Sequence, residues 1–278
     1  MSTNQSIAQV YKENQRSFLK HLKKAESLGE SSIHKLRVDI KNTRVFVSLL
    51  KTLSKEKIGS KQILKIISPV FKNAGDIRTA TLNLKLIQSS QSKLLLKFKK
   101  HLKKQNKEAE KKFEKKIKNF DKKKFNKYTR INHSVLKKLK GSEVQHQTIN
   151  RINKALVEVR ISVSETQSDK NLHDIRKELK TVKNLGIILK EINSLNPFDK
   201  SLENTDHLYK QIGKWHDSSL LADDLQAFAK SHNKISPNLK NNLFINKLKA
   251  KNKRNKSIII KNLLVYGRLH NMPRISSL

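Results

Sequence analysis

The chain has no cysteine. Disulfides, thiolate metal sites and cysteine nucleophiles are therefore excluded. Glycine and proline are scarce, at 7 and 4 residues in 278, so breaks are few and the segments between them are long. Aromatic residues make up 5% and include a single Trp, which leaves few platforms for stacked nucleobases. No apolar run approaches the length that spans a bilayer. The opening residues, MSTNQSIAQVYKENQ, lack the apolar stretch of a secretory signal. These absences lead us to expect a cytoplasmic protein with no membrane partner.

What the chain has is positive charge. It carries 61 Lys and Arg against 23 Asp and Glu, a formal net charge of +38. That excess repels itself in a compact state, so a polyanionic partner is expected. Nucleic acid, an anionic membrane and polyphosphate all fit at this level. Hydrophobic residues reach only 36%, but they are periodic, which argues for a folded core. Segments rich in Leu, Lys, Ile, Glu and Gln run between Gly29, Gly59, Gly75, Gly141, Pro197, Gly213 and Pro237. The pattern predicts an all-α chain. Helices are expected at roughly 5–27, 32–54, 58–72, 76–104, 106–140 with a break, 143–164, 170–192, 201–212, 214–231 and 237–266. In the Lys-rich stretch from Lys93 to Lys140, Leu95, Phe98, Leu102, Ala109, Phe113, Ile117 and Phe120 form a core stripe. The lysines there read as a solvated face.

An internal repeat is the most informative feature. The first copy, IHKLRVDIKNTRVFVSLLK, holds His34, Arg37, Lys41 and Arg44. The second, LHDIRKELKTVKNLGIILK, holds His173, Arg176, Lys180 and Lys183 at the same offsets. His34 and His173 are 139 residues apart, half the chain. On a helix these positions fall within an arc of roughly 80° and a length of about 15 Å. Each copy therefore presents one cationic stripe. The opposite face is apolar: Leu36, Ile40, Thr43, Val47 and Leu50 align with Ile175, Leu179, Val182, Gly186 and Leu189. Further on, Gly75 and Arg78 align with Gly213 and His216 at an offset of 138. Two homologous lobes are expected, 1–140 and 141–278, packed about a pseudo-twofold axis with the stripes facing across a groove.

The motif HxxRxxxKxxR, repeated as HxxRxxxKxxK and followed each time by a Gly-containing segment read as a turn opening a helix, resembles the CHAD domain, the conserved histidine α-helical domain. The resemblance runs over nearly the whole chain, roughly 5–268. It implies two four-helix bundles with internal pseudo-twofold symmetry around a central basic channel that binds inorganic polyphosphate. It also implies a link to polyphosphate granules. No Asp or Glu accompanies the two histidines at a ligand spacing and the surrounding cations repel a divalent metal, so no metal, cofactor or catalytic residue is expected. His34, Arg37, Lys41, Arg44, His173, Arg176, Lys180 and Lys183 are then the channel residues, with Arg78 at the family's Arg-Asp position and Lys177 flanking the second stripe. Thr79 and His216 depart from that Arg-Asp pair, and Lys183 stands where an Arg is usual. The family's frequent companion, a triphosphate-tunnel domain, has no room in this chain, so a stand-alone member is expected.

Polyphosphate has charge but no bases, so spaced cations suffice to bind it. Neighbouring Lys and Arg should depress the pKa of His34 and His173, and bound phosphate should raise it. The rival reading is a nucleic-acid-binding basic helical protein, or weak nucleic-acid binding beside polyphosphate. A generically basic structural protein is a second rival. A polyphosphate phosphatase or kinase would need paired carboxylates to hold metal, and none is evident.

Overall fold

The computed structural model describes residues 6–53, 59–88, 92–164, 168–192, 198–231 and 243–269. Among them every regular element is helical: α1 (Ile7–Lys24), α2 (Glu30–Leu53), α3 (Ser60–Leu86), α4 (Lys93–Lys118), α5 (Lys122–Lys138), α6 (Gly141–Ser164), α7 (Asp169–Ile192), α8 (Asp199–Ser231) and α9 (Leu243–Leu269). A short 3-10 turn, Ala25–Ser27, follows α1, and Leu28 takes a left-handed conformation (φ 58°) before α2. The helix starts are chemically set. Ser6 accepts from the Gln9 amide at 3.3 Å, Ser92 from Leu95 at 3.3 Å and Asp121 from Lys124 at 2.8 Å.

Several expectations about helix ends were wrong, among them the continuous helix at 76–104: α3 ends at Leu86 and α4 starts at Lys93. Gly75 lies inside α3 and Gly213 inside α8, so neither opens a helix. The expected breaks at 72–76 and 212–214 do not exist, and α4 runs without interruption past residue 105. Glycine usually marks a stop because it costs about 1 kcal/mol in a helix interior. Here a side chain from another helix occupies the space, as described below. Pro197 and Pro237 lie outside the described residues.

The chain divides into two compact units. The first comprises Met1–Thr148 and Ile188–Ser194, and the second Ile149–Ile187 and Leu195–Leu278. In the first unit a core of Phe18, Leu36, Ile40, Ile63, Ile67, Phe113 and Phe125 joins α1 to α5. The expected α4 stripe lies in that fold: Leu95, Phe98, Leu102, Ala109, Phe113 and Ile117 are buried. A smaller cluster holds Tyr11, Phe46, Leu50, Leu136, Val144 and Ile188, so the start of α6 and the end of α7 belong to this unit. Each such side chain contributes roughly 1.5–3 kcal/mol by leaving water. A polar clamp ties α1 to α2. Asp39, buried, accepts from Ser17 at 3.0 Å and pairs with His21 at 2.5 Å.

In the second unit Ile175, Leu179, Val182, Ile212, Leu225, Ile259 and Leu263 are buried. Arg151 on α6 pairs with Glu178 on α7 at 3.2 Å. Thr205 on α8 and Tyr266 on α9 share a buried hydroxyl contact of 2.6 Å. The apolar faces of α2 and α7 that the repeat aligns are buried at every matched position, Gly186 included. Their opposite faces are left to carry the charge.

Candidate anion-binding stripes

The first stripe stands on α2. His34 is exposed at its start, and Arg37, Lys41 and Arg44 follow, half-buried. The two arginines are braced by α3. Arg37 donates from Nη1 to the Phe71 carbonyl at 2.7 Å, and its Cζ lies 4.2 Å from the centre of the Phe71 ring. Arg44 lies 4.1 Å from the same ring and donates to the Ser68 hydroxyl at 3.2 Å. Burial lowers the Arg44 pKa, a sign that its charge is held partly out of water. Its hydrogen bond to Ser68 supplies no compensating negative charge.

Gly75 makes this arrangement possible. A Cβ there would sit 2.7 Å from Arg37 Nη1. The guanidinium therefore occupies the space that a Cβ would need over bare helix backbone, four residues along from the ring that it covers.

Arg78, one turn further along α3, faces the start of the stripe. It lines a cavity of about 500 Å³ with Glu30, Ser31, His34, Ile77 and Thr81. Desolvation, then the charges of Arg78, Lys41 and Arg37, hold the His34 imidazole below its ordinary value, with Glu30 opposing them. Glu30 is itself engaged by Lys85 at 2.7 Å.

The second stripe, on α7, repeats the construction. Arg176 lies over Tyr209 of α8 at 5.3 Å, and Lys183 over the same ring at 5.5 Å. A Cβ on Gly213 would meet Arg176 Nη2 at 3.1 Å. Tyr209 follows Phe71 by 138 residues, the offset of the glycines. His173 is exposed at the head of the stripe and stands 5.5 Å, ring to ring, from His216. Desolvation, then Arg176 and His173, push the His216 pKa down, while Asp217 and Asp169 oppose that shift. Lys180 is half-buried, and Lys177 is exposed and paired with Asp174 at 2.8 Å. Trp215 is buried, as a packing residue should be.

Each unit thus gathers its own predicted residues: His34, Arg37, Lys41, Arg44 and Arg78 in one, His173, Arg176, Lys180 and Lys183 in the other. The sequence reading missed the aromatic braces. Phe71 and Tyr209 share the repeat offset, and that was the signal available for finding them. Among the described residues, no three His, Cys, Asp or Glu side chains come together as a metal-ligating group. No described helix is long and apolar enough to cross a membrane.

The CHAD domain model matches residues 11–226, which include both stripes and both braces. The chain belongs to the CHAD family. A crystal structure of the CHAD domain from the plant Ricinus communis is similar in fold, with a TM-score of 0.74 at 10% identity, covering 99% of this chain and 96% of that one. No curated protein gives a significant match. At 10% identity the plant CHAD structure speaks for the helical architecture alone.

Proposed function

We propose that the protein binds inorganic polyphosphate, without turning it over, along the cationic stripes of α2 and α7. The observation that carries this reading is the cradle built twice. In each unit an arginine is laid across a helical glycine onto an aromatic ring, with a second cation from the same stripe over that ring. Side chains restrained this way lose little freedom when an anion arrives. Arginine grips phosphate oxygens in pairs, and lysine adds mobile charge. The ligand such a surface suits is linear, dense in charge and free of bases. Nucleic acid offers the same phosphates and is the natural competitor, but the chain has few aromatic rings on which bases could stack, so binding to it should be weaker. The reading places the protein with cytoplasmic polyphosphate, granules included.

The test is titration with polyphosphates of defined length, with duplex DNA as competitor at matched phosphate and salt. Wild type should bind, with affinity falling steeply as salt rises. An Arg37→Glu/Arg176→Glu double variant should lose at least roughly a hundredfold. A control reversing Lys100, Lys104 and Lys111, exposed on α4, should lose far less. Equal losses in both variants, or DNA displacing polyphosphate more readily than the reverse, would reject the proposal.

A further inference from the structure

Among the charge differences between the two stripes, one falls where α3 and α8 hold the last cation of each stripe. Ser68 on α3 and Asp206 on α8 are 138 residues apart, the offset that relates Phe71 to Tyr209 and Gly75 to Gly213. They also hold equivalent stripe residues. Ser68 accepts from Arg44 at 3.2 Å, and Asp206 accepts from Lys183 at 2.5 Å. The second carboxylate oxygen of Asp206 holds Lys210 at 2.6 Å. Burial pushes the Asp206 carboxyl up, but the hydrogen bonds and charges of Lys183 and Lys210 outweigh it and keep it below the ordinary carboxylate range. It is an anion at neutral pH. Lys72, the counterpart of Lys210, is exposed beside a serine that carries no charge.

We propose that Asp206 is a built-in counter-anion that occupies the place of a phosphate at Lys183 and Lys210, which makes the first unit the primary grip. This rests on the polyphosphate reading and specifies how the two stripes divide the work. At Arg44 an arriving phosphate replaces a neutral hydroxyl. At Lys183 it must displace a charge-assisted bond and then lie close to the displaced carboxylate, which repels it. The cations differ in the same direction, since Arg44 presents a two-pronged fork and Lys183 a single ammonium. The second stripe is therefore a weaker, more readily released contact.

The experiment removes the acid from one unit and installs it in the other. Asp206→Asn and Asp206→Ser are titrated with a short polyphosphate of defined length at several salt concentrations, and Ser68→Asp is the reverse exchange. Thermal melts establish that each variant is folded. The Asp206 variants should bind about tenfold more tightly. Their plots of log affinity against log salt should steepen by up to about 1.4, roughly 0.7 for each of two cations made available. Ser68→Asp should bind about tenfold more weakly with a shallower slope. Asn keeps the shape of Asp, and Ser68→Asp reads the same effect in the other unit, so misfolding of one variant does not spare the proposal. Wild-type binding with both Asp206 variants unchanged in affinity and slope overturns the counter-anion and leaves the polyphosphate reading standing. Failure of wild type to bind at any salt overturns both.

Discussion

The guanidinium of Arg37 lies against the bare face of Gly75, so close that an added methyl carbon would meet Nη1 at 2.7 Å. Arg176 and Gly213 repeat the contact at 3.1 Å. Both glycines sit inside helices, where alanine is intrinsically better by about 0.8–1.0 kcal/mol. That preference makes fold and function separable. The obstructing atom is the tip of a flexible side chain, so the helix can accept Cβ if the arginine swings aside. Gly75→Ala should leave the melting temperature unchanged or slightly raised while polyphosphate affinity falls. Gly213→Ala should show the same pattern more weakly, because its contact is looser. Parallel loss of stability and affinity would assign these glycines a packing role alone.

Phe71 supports two arginines, at 4.2 and 4.1 Å, whereas Tyr209 supports one arginine and one lysine at 5.3 and 5.5 Å. Each cation–ring contact is worth about 0.5–1 kcal/mol at a partly exposed site. Phe71→Leu keeps apolar volume and removes the ring face. It should weaken polyphosphate binding by roughly threefold to tenfold. Tyr209→Leu should do less, and Tyr209→Phe almost nothing. Titration of the three variants side by side checks the order.

Much of this was legible in the sequence because a helix turns residue spacing directly into direction. The spacing of Leu36, Ile40, Val47 and Leu50 specified the buried face of α2, and the His34–Arg44 spacing specified the other. The repeat carried both assignments to α7. What the sequence did not reveal was why Gly75 and Gly213 are glycine. A local reading sees only propensity, and propensity says stop. The actual reason is non-local: an arginine 38 or 37 residues earlier in the chain fills the gap. Phe71 and Asp206 were overlooked for a related cause. Neither is basic, so neither carries the charge that marks a phosphate ligand in a sequence.

Asp39 offers a stability test away from the stripes. It is 6% exposed and held by Ser17 and His21 from α1. Burial raises its carboxyl pKa, and the hydrogen bonds from His21 and Ser17 oppose that shift. Removing His21 would leave a buried carboxyl group without one of its two side-chain hydrogen-bond partners, at a cost of about 1–3 kcal/mol. His21→Ala should therefore lower the denaturation midpoint clearly. Polyphosphate affinity of the folded protein should stay within about twofold, since this clamp faces α1 and not the stripe. Chemical denaturation together with titration under native conditions measures both.

The pH response should be opposite in sign for the stability of the free protein and for its affinity for polyphosphate. His34 and His216 are both held below the ordinary imidazole value of 6.5 in the fold. Between their folded values and 6.5 the unfolded chain binds more protons than the native one. Their contribution to stability is therefore complete above about 6.5 and is lost as pH falls through the folded values. The free protein should melt at progressively lower temperature from pH 7 toward 5.5. Polyphosphate brings negative charge to imidazoles now surrounded by Arg78, Lys41 and Arg37 on one stripe and by Arg176 on the other. It should raise their pKa, so binding takes up protons and tightens as pH falls. The ligand-induced rise in melting temperature should then grow over the same interval in which the free protein weakens. His133 separates the two effects: desolvation, Lys137 and Lys12 depress its pKa as well, but it lies on α5, outside both stripes. His133→Gln should flatten the pH slope of the free protein without changing proton uptake on binding. His34→Gln should reduce both. Calorimetry in buffers of different ionisation enthalpy counts the protons directly, and zero uptake by wild type would exclude the imidazoles from recognition.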